Sequence, residues 1–413
     1  MQMDADRQSK AAVHLAMLIN MLSIGSLMMV MPLGPDFVRA LGMQASHVGY
    51  LAGGATLAAA LSAALSAAWL DRLERKRALI GLLALRFALL LACALASGPQ
   101  QLIILFVLSG LVAGPMGAVL MAAMLDLIPP AERGRKLAYV AMGYSLAAIV
   151  VTPLALELAA RGGWQAPFVL FGGAGVLLAL LCLRLFPTPP THAHSATRLW
   201  PLLRTPLCQG ALSIVALQMF GHFLLVPHFS NYFQFNLEFP RQHIGLLYLC
   251  GGLASLAAMH LGGVLIDRGN AATVVLLSSG CLAAITLLGF ALPLGLSLYL
   301  VFTLFMALGA VRSSSTLTIA AAIPRPEQRA AFMALQSTVS NIAAGLGSLF
   351  SAAYLSEDAG RRLVGFEDLA WLYAGAGTTA GIGVLLLLRA IHARTAAAAG
   401  TTQEGRTQPA GES

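Results

Sequence analysis

Twelve apolar runs alternate with short charged or Pro/Gly-rich breaks along the chain, each near the ~20 residues that a helix needs to cross a bilayer at ~1.5 Å per residue. No other feature restricts the fold so strongly. Backbone inside lipid must satisfy its own hydrogen bonds, which leaves only helices and closed barrels. The runs fall at roughly 11–35, 46–70, 78–97, 101–126, 137–159, 165–186, 207–229, 243–266, 271–292, 296–321, 330–355 and 369–389, and Gly, Ser and Ala dilute the last two. They are continuously apolar rather than alternating, so a barrel is not expected. A chain that is 58% hydrophobic and 10% charged, with mean hydropathy +0.80, fits an all-α polytopic membrane protein and exceeds what a soluble core needs.

The basic residues orient these spans. Of 25 Lys and Arg, 18 fall in the even-numbered connections and the two ends, and five in the odd-numbered connections, with Arg86 and Arg312 left inside spans. Basic loops stay on the cytoplasmic side, so both termini are expected in the cytoplasm of a multi-pass cell-membrane protein, a bacterial inner membrane being the natural setting. The same bias accounts for the net charge of +8. Nucleic acid is not expected as a partner, because no aromatic-studded basic patch exists. Cys93, Cys182, Cys208, Cys250 and Cys281 occur singly in or beside apolar runs, without metal spacing, and read as small core hydrophobes. The first apolar run is too long for a signal peptide and lacks a clear cleavage site, so it reads as an uncleaved span.

A Pro-rich break over 187–206 divides two halves of six spans. The expected organisation is a cytoplasmic N-terminus at 1–10, a six-helix bundle at 11–186, a cytoplasmic linker at 187–206, a second bundle at 207–392 and a disordered cytoplasmic tail at 393–413. The halves repeat. Asp71-Arg72 recurs as Asp267-Arg268, and Pro130-x-x-Arg133 as Pro326-x-x-Arg329, both at an offset of 196 residues. Two loop signals at one offset imply parallel repeats about an axis along the membrane normal, with a site between the halves near the midplane.

On these residues the chain resembles the major facilitator superfamily. The loop Asp71-Arg72-x-x-Arg75-Lys76 follows span 2, with a weaker copy at Gly263-x-x-x-Asp267-Arg268. Pro32-x-x-Pro35-Asp36 closes span 1, and Asp126-Leu-Ile-Pro-Pro-Ala-Glu-Arg-Gly-Arg-Lys136 follows span 4. The Pro-x-x-Pro ending is similar to the twelve-span drug and metabolite branch, which exchanges a small solute for protons. The chain departs from the family pattern at Ala67 and Glu74, where the loop has Gly, at Phe106, where proton antiporters often carry Arg, and at Thr152-Pro153, a reduced span-5 signature.

The resemblance implies a cytoplasmic gate at Asp71, Arg72, Arg75, Lys76, Asp126, Asp267 and Arg268. Chemistry agrees, since a carboxylate at a span end can accept from helix N-terminal N–H groups of the other half and Arg75 can pair with Asp126. Simple retention of positive charge is the plainer account. Arg312 sits deep in span 10 and precedes Ser313; at a cost of a few kcal/mol it should face a wet cavity or a partner, so an anionic or carbonyl-rich solute is expected there. Gln218 and His222 share one face of span 7. With Asn20, Tyr232 and Asn341 they are candidates for the cavity lining, the alternative being interhelical hydrogen bonds. Arg86 reads as structural, snorkelling outward. Glu157 and Asp36 are the candidate proton carriers, although Asp36 directly after Pro35 also suits a cap.

The expected function is secondary active transport: proton-coupled efflux of a drug, sugar-like metabolite or siderophore by alternating access. A proton-coupled importer of an organic acid is the alternative, and a transport-inactive receptor or scaffold belongs to another class. An enzyme or ATP-driven pump is not expected. Lys10, Lys76 and Lys136 lie in no phosphate-cradling loop and no His-Glu-x-x-His occurs. No cofactor and no metal are expected, and the protein should be a monomer in the lipid bilayer.

Overall fold

The computed structural model describes residues 2–70, 73–129, 132–188, 200–292, 294–324 and 328–404. Asp71, Arg72, Pro130, Pro326 and most of the Pro-rich linker therefore lie outside the described residues. Twelve long helices are described: α1 Gln2–Met28, α2 Val48–Leu70, α3 Arg75–Cys93, α4 Pro99–Leu127, α5 Arg133–Gly162, α6 Gln165–Leu185, α7 Pro206–Asn236, α8 Arg241–Asp267, α9 Ala271–Ala291, α10 Leu298–Ala321, α11 Arg329–Tyr354 and α12 Phe366–Glu404. By length and composition, ten of these are apolar enough to cross a membrane. The other two are α3, which opens on Arg75-Lys76-Arg77 and carries Arg86, and α11, which carries Gln336, Asn341 and many Ser and Gly.

The helices begin and end where backbone chemistry requires. Pro99 and Pro206 occupy the first helical positions of α4 and α7, where a missing N–H costs nothing. At the far end of α4, Arg133 donates to the carbonyls of Leu125 (2.9 Å) and Ile128 (3.1 Å), placing a cation on the negative end of the helix dipole. A five-residue π segment, Ala147–Val151, sits in α5 just before Pro153; similar segments occur at Tyr232–Asn236 and Leu287–Ala291. α12 runs on to Glu404, into the stretch that the sequence assigns to a structureless tail. Its four alanines at 396–399 favour helix on intrinsic propensity alone.

Helix pairing repeats with a step of six. In the first half α1 packs on α5, α2 on α4, and α3 on both α4 and α6; in the second, α7 packs on α11, α8 on α10, and α9 on both α10 and α12. The principal contacts between the halves are α2 with α11 and α5 with α8, a pair that the same step exchanges. Outward faces are apolar, with Leu65, Leu177 and Ile382 among many exposed large hydrophobics. A surface of this kind belongs in lipid, and the protein is multi-pass in the membrane.

Candidate functional site

Among the described residues the two halves touch along part of their length only. On α11, Gly345, Ser348 and Ala352 are buried against α2, where a Cβ added to Gly49 would stand 2.6 Å from the Ser348 carbonyl and one added to Gly53 would stand 2.8 Å from that of Gly345. Further along the same stripe, Asn341, Ser337 and Ala334 are exposed, and on α2 so are Leu61 and Ala64. Small residues let two backbones meet; beyond them the helices diverge. The result is a wedge, sealed at the end carrying the α1–α2 connection and parted at the end carrying Asp126 and Asp267.

Polar bonds between the halves gather at the sealed end. Arg241, at the start of α8, grips Asp36 with both arms of its guanidinium (Nε–Oδ1 3.0 Å, Nη2–Oδ2 2.8 Å) and also donates to the Leu156 carbonyl (3.2 Å). Both partners of the pair are mostly shielded, at 22% and 17% side-chain exposure. Asp36 belongs to a short helix, Gly34–Leu41. From its last turn Arg39 donates to Gln234 Oε1 (2.8 Å) and lies over the Phe235 ring. Burial lowers the Arg39 pKa from its ordinary value, Asp36 opposing the shift and Arg241 and Arg361 adding to it. Ser230 Oγ donates to the Pro32 carbonyl, Asn231 Nδ2 to that of Ala45 and Ser348 Oγ to that of Gly49. His228 is fully buried in this seam, its Nε2 2.9 Å from Ser351 Oγ. A short hairpin, Ser356–Glu357 with Leu363–Val364, covers the end, and Glu357 accepts from the Ala45 N–H (2.6 Å).

Inside the second half stands a polar cluster. Arg312, 3% exposed, donates from Nη2 to the Tyr373 hydroxyl (3.0 Å) and lies over that ring at 5.2 Å. The Gln218 amide, oriented to satisfy its neighbours, accepts from Arg312 Nε (3.2 Å) and from the Ser313 N–H (3.3 Å), and donates to Thr316 Oγ1 (3.0 Å). His222, half-buried, stacks on Phe305 and reaches toward Tyr373. Arg312 needs room: a Cβ on Gly377 of α12 would collide with its Nη1. A π face, a phenol and an amide offer a buried guanidinium a cation–π contact and acceptors for its N–H groups.

The structure thus brings Arg312, Gln218, His222 and Ser313 together and adds Tyr373, which the sequence did not single out. It places the other candidates elsewhere. Asn20 donates to the Val140 carbonyl on α5 (3.0 Å), within the first half. Tyr232 lies at the sealed end, stacked on Phe366 at 4.0 Å. Asn341 is exposed on the parted face of α11. Glu157 is exposed and bonded to Arg161 one turn along the same helix (2.6 Å), whereas Asp36 is the carboxylate of the bond between halves. At the parted end Arg75 Nε stands 2.6 Å from the buried carboxylate of Asp126, and Lys76 is half-buried. This pair ties α3 to α4 within one half. Asp267 and Arg268 are exposed, and Asp71 and Arg72 fall outside the described residues. Arg86, expected to snorkel, is instead 5% exposed: at eleven residues from Arg75 it lies ~16 Å along α3 at ~1.5 Å per residue and turns inward to α1, donating to Ser23 and Ser26.

Known proteins share this architecture. The nucleoside transporter NupG superposes with a TM-score of 0.68 over 92% of this chain and 99% of its own, at 14% identity. A bacterial homolog of the human lysosomal transporter Spinster, in an inward-facing occupied conformation, gives 0.67 over 96% and 98%, at 16% identity. Among curated sequences, a probable sugar efflux transporter of Helicobacter pylori (strain G27) is 26% identical over 48% of this chain and 51% of its own length. A chloramphenicol efflux pump of Mycobacterium tuberculosis (strain CDC 1551 / Oshkosh) is 26% identical over 63% of this chain and 64% of its own. The chain therefore spans between about half and two thirds of these curated relatives. The family model of the Major Facilitator Superfamily matches residues 14–348 and again 211–410; with the six-step repeat of helix pairs and the wedge between halves, this makes the chain a member of the Major Facilitator Superfamily.

Proposed function

We propose that the chain is a secondary active exporter of a small organic solute, driven by protons, whose two six-helix halves rock about a central chamber. The observation that carries this is the wedge: among the described residues the contacts between the halves gather at one end, and the faces of α2 and α11 that continue them are exposed at the other. Reversing the wedge makes the chamber accessible from the opposite side. With the charged connections in the cytoplasm, the sealed end is periplasmic and the chamber opens inward, the state that receives solute for export.

In this reading Arg312, Gln218, His222 and Tyr373 form the solute-facing cluster of the second half, with donors suited to carbonyl or anionic groups. Asp36 and Arg241 latch the periplasmic end, and Arg75 with Asp126 braces the cytoplasmic turn of α3 and α4. Export, rather than import of an organic acid, is favoured by the sugar and chloramphenicol efflux assigned to its relatives.

The test is flux. Everted membrane vesicles energised to an acid interior should accumulate labelled chloramphenicol or a small sugar and release it when nigericin collapses the gradient. Flux that ignores the gradient overturns proton coupling, and accumulation only with the gradient inverted overturns the direction. Absence of flux for a broad solute panel in purified, reconstituted protein would leave the receptor reading standing.

A further inference from the structure

Two arginines are buried inside the spans, and their surroundings differ. Arg312 has an aromatic face, a phenol and an amide about it, and each of its polar contacts is part of the cluster described above. Arg86 also lies over a ring, that of Phe87 at 5.4 Å, but its polar partners are fewer in kind. Its Nη1 donates to Ser23 Oγ, and its Nη2 to the Ser23 carbonyl (2.7 Å) and Ser26 Oγ (3.1 Å). All three acceptors are neutral. Its Nε–H is buried without a partner, and among the described residues no carboxylate contacts it.

Beside this guanidinium is a cavity of about 30 Å³, lined by Arg86, Ser26, Ala55, Phe106, Ser109 and Ala113. By the usual measure it has room for one or two waters, or one small ion. Ser109 Oγ contributes a second donor: its one bond, to the Arg86 carbonyl, is long at 3.4 Å, so the hydroxyl can turn to the cavity. Water there would satisfy Nε but leave the charge unbalanced. A buried cation with neither water nor counter-charge is among the costliest groups a protein can hold, and the other walls of the cavity are apolar. An anion answers both deficits.

We propose that this cavity binds a monovalent anion of chloride size, held by Arg86 Nε and Ser109 Oγ within the first half. The ion is a resident counter-charge rather than cargo, since the volume admits nothing much larger than a halide. It neutralises the arginine whose remaining arms fasten α1 to α3.

The experiment uses the full chain purified in detergent. Thermal unfolding is followed by the reaction of the buried thiols of Cys93, Cys182 and Cys208 with a fluorogenic maleimide, in sodium chloride and in sodium gluconate at equal ionic strength. A ligand that binds only the folded state stabilises by mass action, so the midpoint should rise saturably with chloride, by about 3–6 °C. Arg86→Gln should abolish the rise. Because that variant also loses the α1 bonds and can fail to fold, Ala113→Leu serves beside it: the arginine remains, the cavity is filled, and the chloride response should vanish. Equal midpoints in the two salts would overturn the proposal in favour of water in the cavity. A wild-type chloride response in Ala113→Leu would overturn it by placing the ion elsewhere.

Discussion

At the scale of single residues, the Asp36–Arg241 pair and the Arg312 cluster make opposite predictions. On the rocking proposed above the pair joins the halves in this state only, so weakening it should shift a conformational balance rather than unfold the protein. A partly exposed ion pair contributes about 1 kcal/mol or somewhat more when bidentate, enough for a several-fold shift. Asp36→Asn should therefore raise the rate at which a periplasmic, membrane-impermeant maleimide labels a cysteine placed at Ser348, by about fivefold. Exchanging the two residues, Asp36→Arg with Arg241→Asp, should bring the rate back toward wild type. Arg312 differs because its partners lie in its own half. Arg312→Lys keeps the charge and loses the planar fork, leaving Gln218 and the Tyr373 hydroxyl with unmet bonds. A lost charge-assisted hydrogen bond to solute of ~1.5–3 kcal/mol should raise the half-saturating solute concentration by about tenfold or more, and the unmet internal bonds should lower the unfolding midpoint as well. Unaltered flux kinetics would remove Arg312 from the solute site.

At the scale of helices, α2 shows how one element serves two contacts. Ala55 and Ala59, four apart, face α4, where Cβ atoms on Gly110 and Gly114 would run into their carbonyls. Gly49 and Gly53 on another face meet α11. Both are close approaches of small residues four apart, but the first lies inside one half and the second between halves. Gly114→Ala should thus lower the unfolding midpoint through overpacking, at about 1–3 kcal/mol, while Gly53→Ala should leave it near wild type and raise labelling at Ser348. Had both changes lowered the midpoint alike, the α2–α11 seam would be a permanent interface. Much of this level was legible beforehand. Most helix ends fall within a few residues of the apolar runs, because hydrophobicity of bilayer length leaves little freedom; α1 starts and stops earlier, and α7 and α12 run on further, while the offset of 196 residues announced the repeat. Gln218, His222 and Arg312 were legible as polar groups in apolar surroundings. Tyr373 was not, since a tyrosine in a span looks like any amphipathic aromatic. Asp36 with Arg241 escaped because the partners are 205 residues apart and each suits a loop by itself. Arg86 was misplaced because a long side chain permits snorkelling, and only packing shows that it turns inward.

For the whole molecule the question is whether the halves move as units, and the seam supplies the means to ask. Gly49 and Ala352 face each other closely enough that a Cβ on the glycine would lie 2.8 Å from that of the alanine. Cysteines there need only a small backbone adjustment to reach the ~3.8 Å Cβ separation of a disulfide. Gly49→Cys with Ala352→Cys, oxidised, should hold the wedge shut at the sealed end and stop transport, and reduction should restore it. A second pair at the parted end, Leu61→Cys with Asn341→Cys, should not cross-link in the state described but should do so during turnover, when that end closes. Solute and a proton gradient together should then raise its cross-linking yield several-fold over either alone, because only a cycling protein visits both states. Cross-linking of both pairs in one molecule at the same time would contradict rocking of rigid halves, since a wedge shut at both ends has no access to either side.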